Sequence, residues 1–169
     1  LLPLVLRRQA MEFLWLSQFD LAYAAAQEGY RLSVDLGYGS SGHLVNMAAA
    51  EAAWGREQEA RTHIEEAAKL SQRRGSLFPA IGAEWTLGLI DLAAGRPTEA
   101  AERLLAITSP DHPHHNPLIA LEVMPDAVEA AVKAGRPEQA AARLHSLRGR
   151  VAAAPTTARR ALLARCEAL

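Results

Sequence analysis

Three short segments, spaced forty residues apart, constrain the fold of this chain more than any other feature. Gly55-Arg56-Glu57-Gln58-Glu59-Ala60 returns as Gly95-Arg96-Pro97-Thr98-Glu99-Ala100 and again as Gly135-Arg136-Pro137-Glu138-Gln139-Ala140. A weaker copy, Ser17-Gln18-Phe19-Asp20-Leu21-Ala22, stands 38 residues before the first. A fixed period of this length marks an array of supersecondary units, each burying its apolar face against its neighbours.

Each copy reads as the turn of a helical hairpin. An apolar helix runs into it, over 44–54, 81–94 and 118–134. The glycine supplies the left-handed residue that ends a helix. Pro97 and Pro137 take first-turn positions, where a missing N–H costs nothing. Glu57, Glu59, Glu99 and Glu138 sit near the positive end of the next helix. Ala60, Ala100 and Ala140 allow close helix approach, with Ile64, Leu104 and Leu144 four residues on along the same face.

The pattern predicts about nine helices, at 3–16, 18–36, 42–54, 57–74, 79–94, 97–107, 117–134, 137–151 and 156–168. The breaks fall at Gly37 to Gly42, at Gly75 to Pro79, at Thr108 to Pro117 and at Pro155, with a threonine at the last cap. Pro125 lies inside the seventh helix and predicts a kink. The expected fold is all-α: a right-handed α-solenoid of antiparallel helix pairs, tetratricopeptide-like, forming one domain over 1–169.

Composition agrees. The 169 residues include 35 alanines and 24 leucines, with few β-branched or aromatic side chains, which favours helix over sheet. Half the residues are hydrophobic and 22% are charged, enough apolar material for a core. The net charge of −1 leaves no basic surplus for a phosphate backbone, so direct nucleic-acid binding is not expected. No apolar run approaches a membrane span. The single cysteine, Cys166, fits a reducing cytoplasm. The opening Leu1-Leu2-Pro3-Leu4-Val5-Leu6 is too short for a signal peptide. A start at Leu rather than Met, and a stop within a helical pattern, lead us to expect a piece of a longer chain. The 16 arginines against two lysines suggest a GC-rich genome.

Certain words carry a resemblance. Leu87-Gly88, Gly95 and Ala100 match tetratricopeptide spacing, although the period exceeds the usual 34. Glu65-Glu66-Ala67-Ala68-Lys69-Leu70, Leu87-Gly88-Leu89, Val128 to Pro137 and Ala161 to Leu169 extend the likeness along the chain. On these words it resembles the helical-repeat region of large ATP-binding LuxR-type transcriptional regulators of actinobacteria, related to the maltose regulator. The resemblance implies a nucleotide-binding switch domain and a helix-turn-helix domain elsewhere. No phosphate-loop string and no basic recognition helix occurs here. It also implies a repeat region that senses an inducer or a partner protein. No family binding residue carries over.

Few residues suggest chemistry. His112, His114 and His115, with Asp111, form one cluster, whereas a structural zinc site draws four ligands from two separated places. A solvated proline-rich loop is the simpler reading, and neither a metal nor a cofactor is expected. His43, His63 and His145 read as surface or rim histidines. Cys166 has no paired base in sequence and reads as a buried thiol. Glu51, Glu57, Glu59, Glu65 and Glu66, interleaved with Arg56, Arg61 and Lys69, read as surface helix pairs.

Tetratricopeptide spacing places Arg7, Met11, Trp15, Val45, Ala49, Ala52, Trp85, Leu89, Glu122, Glu129 and Lys133 on the concave wall. Such a groove, apolar and aromatic at one end and charged at the other, suits a peptide or a small amphipathic ligand. Core packing between repeats, or contact with other domains of the parent protein, would use the same tryptophans. The function expected is therefore non-catalytic: a ligand-sensing or protein-interaction repeat domain that controls DNA binding allosterically. The alternative is a general tetratricopeptide scaffold for a partner protein, unrelated to transcription. An enzyme using the histidine cluster and a metal is the remote third reading. The first helix is apolar on more than one face, which makes a homodimer possible.

Overall fold

The computed structural model describes residues 1–74, 78–113 and 115–169. Among them are nine helices and no strand: α1 (Leu2–Trp15), α2 (Phe19–Asp35), α3 (Ser41–Ala53), α4 (Glu57–Arg74), α5 (Phe78–Ala93), α6 (Pro97–Ile107), α7 (Pro117–Lys133), α8 (Pro137–Ala153) and α9 (Thr157–Glu167). Every predicted helix is present, with ends within two residues of expectation. The predicted break at Gly75-Ser76-Leu77 and the residue His114 lie outside the described residues.

The repeat has one physical cause, the same turn built again and again. At Gly55 (φ 73°), Gly95 (φ 72°) and Gly135 (φ 68°) the backbone is left-handed. The following arginine closes each turn: Arg56 N–H donates to Glu51 O at 2.9 Å, Arg96 N–H to Asp91 O at 2.8 Å and Arg136 N–H to Ala131 O at 2.8 Å. Each glycine N–H donates one residue further in, to Ala52, Leu92 and Val132. This double bond from the two residues past the helix is the Schellman cap, which satisfies carbonyls the helix leaves unpaired. The same arginine carbonyl accepts from Ala60, Ala100 or Ala140 and so begins the next helix. Pro97 and Pro137 stand in first turns as predicted.

The weak fourth copy is also a full turn. Ser17 takes the glycine position with φ 56°, and Gln18 N–H donates to Phe13 O at 2.8 Å. A side chain in that conformation is strained by about 1–2 kcal/mol. Ser17→Gly is therefore expected to stabilise the chain by about 0.5–1 kcal/mol, once glycine's larger unfolded-state entropy is subtracted. A Cβ at Gly55, Gly95 or Gly135 would meet nothing within 4 Å, so alanine there costs only the backbone term. Gly135→Ala is expected to lose about 1 kcal/mol. Urea titration of the two variants beside the parent chain checks both signs.

The contacts divide the chain into two compact units, Leu1–Thr86 and Leu87–Leu169, with the division inside α5. In the first unit α1 packs on α2 and α3, α2 on α3, and α3 on α4. Ala10, Ala26 and Met47 form a small core there, flanked by Tyr23 and Tyr30. In the second, α7 packs on α6, α8 and α9. Leu121, Met124, Val128, Leu147, Val151 and Cys166 close its core. Cys166 is buried as expected, and burial pushes its thiol pKa up. Helix α7 runs through Pro125 without interruption, and Asn116 and Thr156 cap α7 and α9 with their side chains. No described helix is long and apolar enough to cross a membrane.

Two sequence expectations are corrected. His43 is not a rim residue: it is 1% exposed. Its ring fits because Gly29 on α2 has no side chain, since a Cβ there would lie 2.3 Å from His43 Cε1. Glu51 is not part of a solvated acidic face either, being 3% exposed.

Candidate interaction surface

The buried carboxylates are best understood in the repeat register. Glu51 and Asp91 stand at the same position, forty residues apart, and their backbone carbonyls accept the closing bond of their turns. Their side chains reach across to the next helix, again at matching positions. His63 Nδ1 lies 2.7 Å from Glu51 Oε2, while Arg103 Nε donates to Asp91 Oδ2 at 3.3 Å. Arg96 adds Nε and a terminal nitrogen to Asp91 Oδ1, both at 3.0 Å. The third repeat has Ala131 in the acid's place. There Arg143 turns to Thr108 Oγ1 at 3.0 Å and Leu105 O at 3.3 Å. These contacts cross-brace hairpins: a buried charge is stable only when paired and hydrogen-bonded.

The first brace lies behind an aromatic cluster. Trp54 follows α3 immediately before Gly55, where the other copies carry Leu16, Ala94 and Ala134. Its ring is 5.4 Å from that of Tyr23, and the Arg56 guanidinium lies 4.7 Å above it. Burial, and then the Glu51 carboxylate, push the Tyr23 phenol above its ordinary pKa. Trp54 also walls a shallow depression of about 330 Å³ shared with Ser17, Gln18, Phe19, Asp20 and Leu21. Two consecutive turns of the repeat therefore meet at one edge of the first unit. They offer an aromatic wall, a cation on its face and the carboxylate of Asp20. No family model, curated protein or solved structure matches the chain.

The residues expected on a concave wall distribute as follows. In the first unit Arg7, Met11, Ala49, Ala52 and Trp85 are half-buried and Trp15 is exposed. Arg7 lays its stem against α3, where a Cβ on Gly42 would lie 2.8 Å from Arg7 Cδ. Its carbonyl accepts from Asn46 Nδ2 at 3.0 Å. Val45 is buried, with Cγ1 3.1 Å from where a Gly82 Cβ would stand. Trp15 keeps company with Arg8, whose guanidinium is 5.3 Å from its ring. In the second unit Leu89, Glu122 and Glu129 are half-buried and Lys133 is exposed. Lys133 Nζ donates to Glu129 at 2.7 Å, and Arg165 reaches Glu129 at 2.6 Å and Asp126 at 3.0 Å. Lys133, and then Arg165, hold the Glu129 carboxyl below its usual pKa.

His112 and His115 are half-buried, and His115 Nδ1 is buried without a hydrogen-bond partner. Among the described residues no group of three acids, histidines or cysteines has metal-binding geometry. Sequence reasoning missed Trp54 as a site residue. Its signal was there: it is the one large aromatic at a turn position that other copies fill with alanine or leucine.

Proposed function

We propose that the chain is a non-catalytic recognition module. It binds an inducer, peptide segment or partner protein where its first two repeat turns meet, and passes that event to the other domains of a LuxR-type transcriptional regulator. The observation that carries the reading is the Trp54 depression. The depression sets Trp54, Phe19 and Leu21 beside the polar groups of Ser17, Gln18 and Asp20, with the Arg56 guanidinium over the tryptophan ring, a mixture of apolar surface and orienting polar groups. The LuxR-like words, Val128 to Pro137 above all, support the regulatory setting.

No step breaks a bond. Glu51 and His63 are tied to each other, and their service is to hold the hairpin that presents Trp54. Occupancy must favour one arrangement of hairpins over another, because a ligand shifts an equilibrium only by its differential affinity. Fluorescence and thermal-shift titrations against amphipathic peptides and small aromatic effectors test this. The expected result is a saturable change in tryptophan emission with a rise in melting temperature. Saturation at a hundred times Kd stabilises the chain by about 2.7 kcal/mol. Trp54→Phe should remove the emission change. Identical titration curves in parent and variant, or no saturable response across the panel, would overturn the reading.

A further inference from the structure

The outer face of α1 carries a pattern that is its own complement. Ala10 and Pro3 point into the first unit. On the opposite side Leu4, Val5, Arg8, Glu12, Trp15 and Leu16 fall within a sector of about 120° at 3.6 residues per turn. The apolar members are open to solvent: Leu4 is 60% exposed, Val5 59%, Trp15 47% and Leu16 65%. Arg8 and Glu12 pair with each other at 2.6 Å, with side chains 63% and 45% exposed. Read along the axis, the stripe runs apolar, positive, negative, apolar.

We propose that a second copy of this chain docks on that face, antiparallel, about a twofold axis. Positions whose numbers sum to twenty then stand at the same height along the paired helices. Each Arg8 meets the other copy's Glu12 at the centre of the contact, Val5 packs beside Trp15 of the second copy, and Leu4 and Leu16 lie level with each other on its two flanks. A twofold interface must be self-complementary in this way, with residue i on j and j on i. Reversing the stripe brings unlike charges together twice and apolar ends together twice. A parallel pairing in register brings Arg8 onto Arg8 and Glu12 onto Glu12. The apolar ends supply the attraction, and the charges select the register. The inference is independent of the Trp54 reading, because none of its residues lines that depression.

Analytical ultracentrifugation of the 18.2 kDa chain over a wide concentration range tests it. The apparent mass is expected to rise from one copy to two and no further. Arg8→Glu and Glu12→Arg should each weaken association by about tenfold or more, because two ion pairs become two like-charge contacts. Mixing the two variants should restore the dimer, since each new charge then meets its opposite. Circular dichroism of each variant, expected to match the parent, shows that the helices remain formed. A parent chain that stays at one copy throughout, variants that associate as tightly as the parent, or a mixture that fails to recover would each overturn the proposal.

Discussion

Acidification from pH 7 to pH 4.5 is expected to cost the parent chain about 2.5 kcal/mol more than it costs a His43→Leu variant, by proton linkage at this one group. Burial against α2, and then the nearby charge of Arg7, lower the His43 pKa from 6.5 to about 4. In the folded chain the ring stays neutral down to that value. In the unfolded chain it takes up a proton near pH 6.5. Between the two, the unfolded state binds more protons, so stability falls as pH falls. The contribution is intact above pH 6.5 and fully lost below pH 4. The whole shift is worth about 3.4 kcal/mol at 1.36 kcal/mol per pKa unit, a sizeable part of a domain's stability. The carboxylates titrate alike in both proteins, so the difference between their urea midpoints at the two pH values isolates His43. Parallel loss in parent and variant would show that the ring reaches solvent, contrary to its 1% exposure.

Glycine-to-alanine substitutions at two helical sites are expected to act with opposite sign. At Gly88 on α5 a Cβ would stand 2.6 Å from Leu104 Cδ2 and 2.7 Å from its Cγ. Leu104 is 0% exposed, so its branch has nowhere to retreat. Overpacking of this kind costs about 3 kcal/mol, and alanine's better helix propensity returns about 1, leaving a net loss of about 2 kcal/mol. At Gly149 on α8 an added Cβ meets nothing within 4 Å. The propensity term then acts alone, and Gly149→Ala is expected to gain about 0.5–1 kcal/mol. Leu104→Ala by itself should lose about 2–5 kcal/mol through the cavity it leaves. In the double variant Gly88→Ala with Leu104→Ala, the new methyl enters that space. Its loss should fall short of the sum of the single losses by at least about 1 kcal/mol, a coupling that a cycle of urea titrations reads directly. Strict additivity would mean that α5 and α6 do not meet at this pair.

The fold was legible because its turns repeat. Gly55, Gly95 and Gly135 announce their left-handed conformations through spacing alone, and apolar periodicity carries the helices between them. Ser17 was legible as the fourth copy only through the residues after it, since serine is not the residue that a left-handed turn favours. What stayed hidden depends on pairs across helices. Burial of His43 follows from a missing side chain at Gly29, fourteen residues earlier on another helix, which no period along one helix reveals. Glu51, on α3, stands close in sequence to the exposed or half-buried glutamates of α4, and so read as one of them. Aligning it with Asp91, and His63 with Arg103, exposes the shared brace. Trp54 ends a helix, where periodicity assigns no face, whereas Trp15 and Trp85 stand at positions that tetratricopeptide spacing assigns to the concave wall. The division into units inside α5 has no compositional mark at all.

The most direct test of the recognition surface is a two-dimensional proton–nitrogen spectrum of the labelled chain. The three tryptophans each give one indole N–H signal. Titration with a peptide or effector that shifts the melting temperature should move the Trp54 indole and the backbone amides of Ser17 to Leu21 together, along one saturating curve. Trp15 and Trp85 should stay in place. Movement confined to Trp15 and Trp85, with Trp54 silent, would contradict the assignment of recognition to the edge where the first two turns meet.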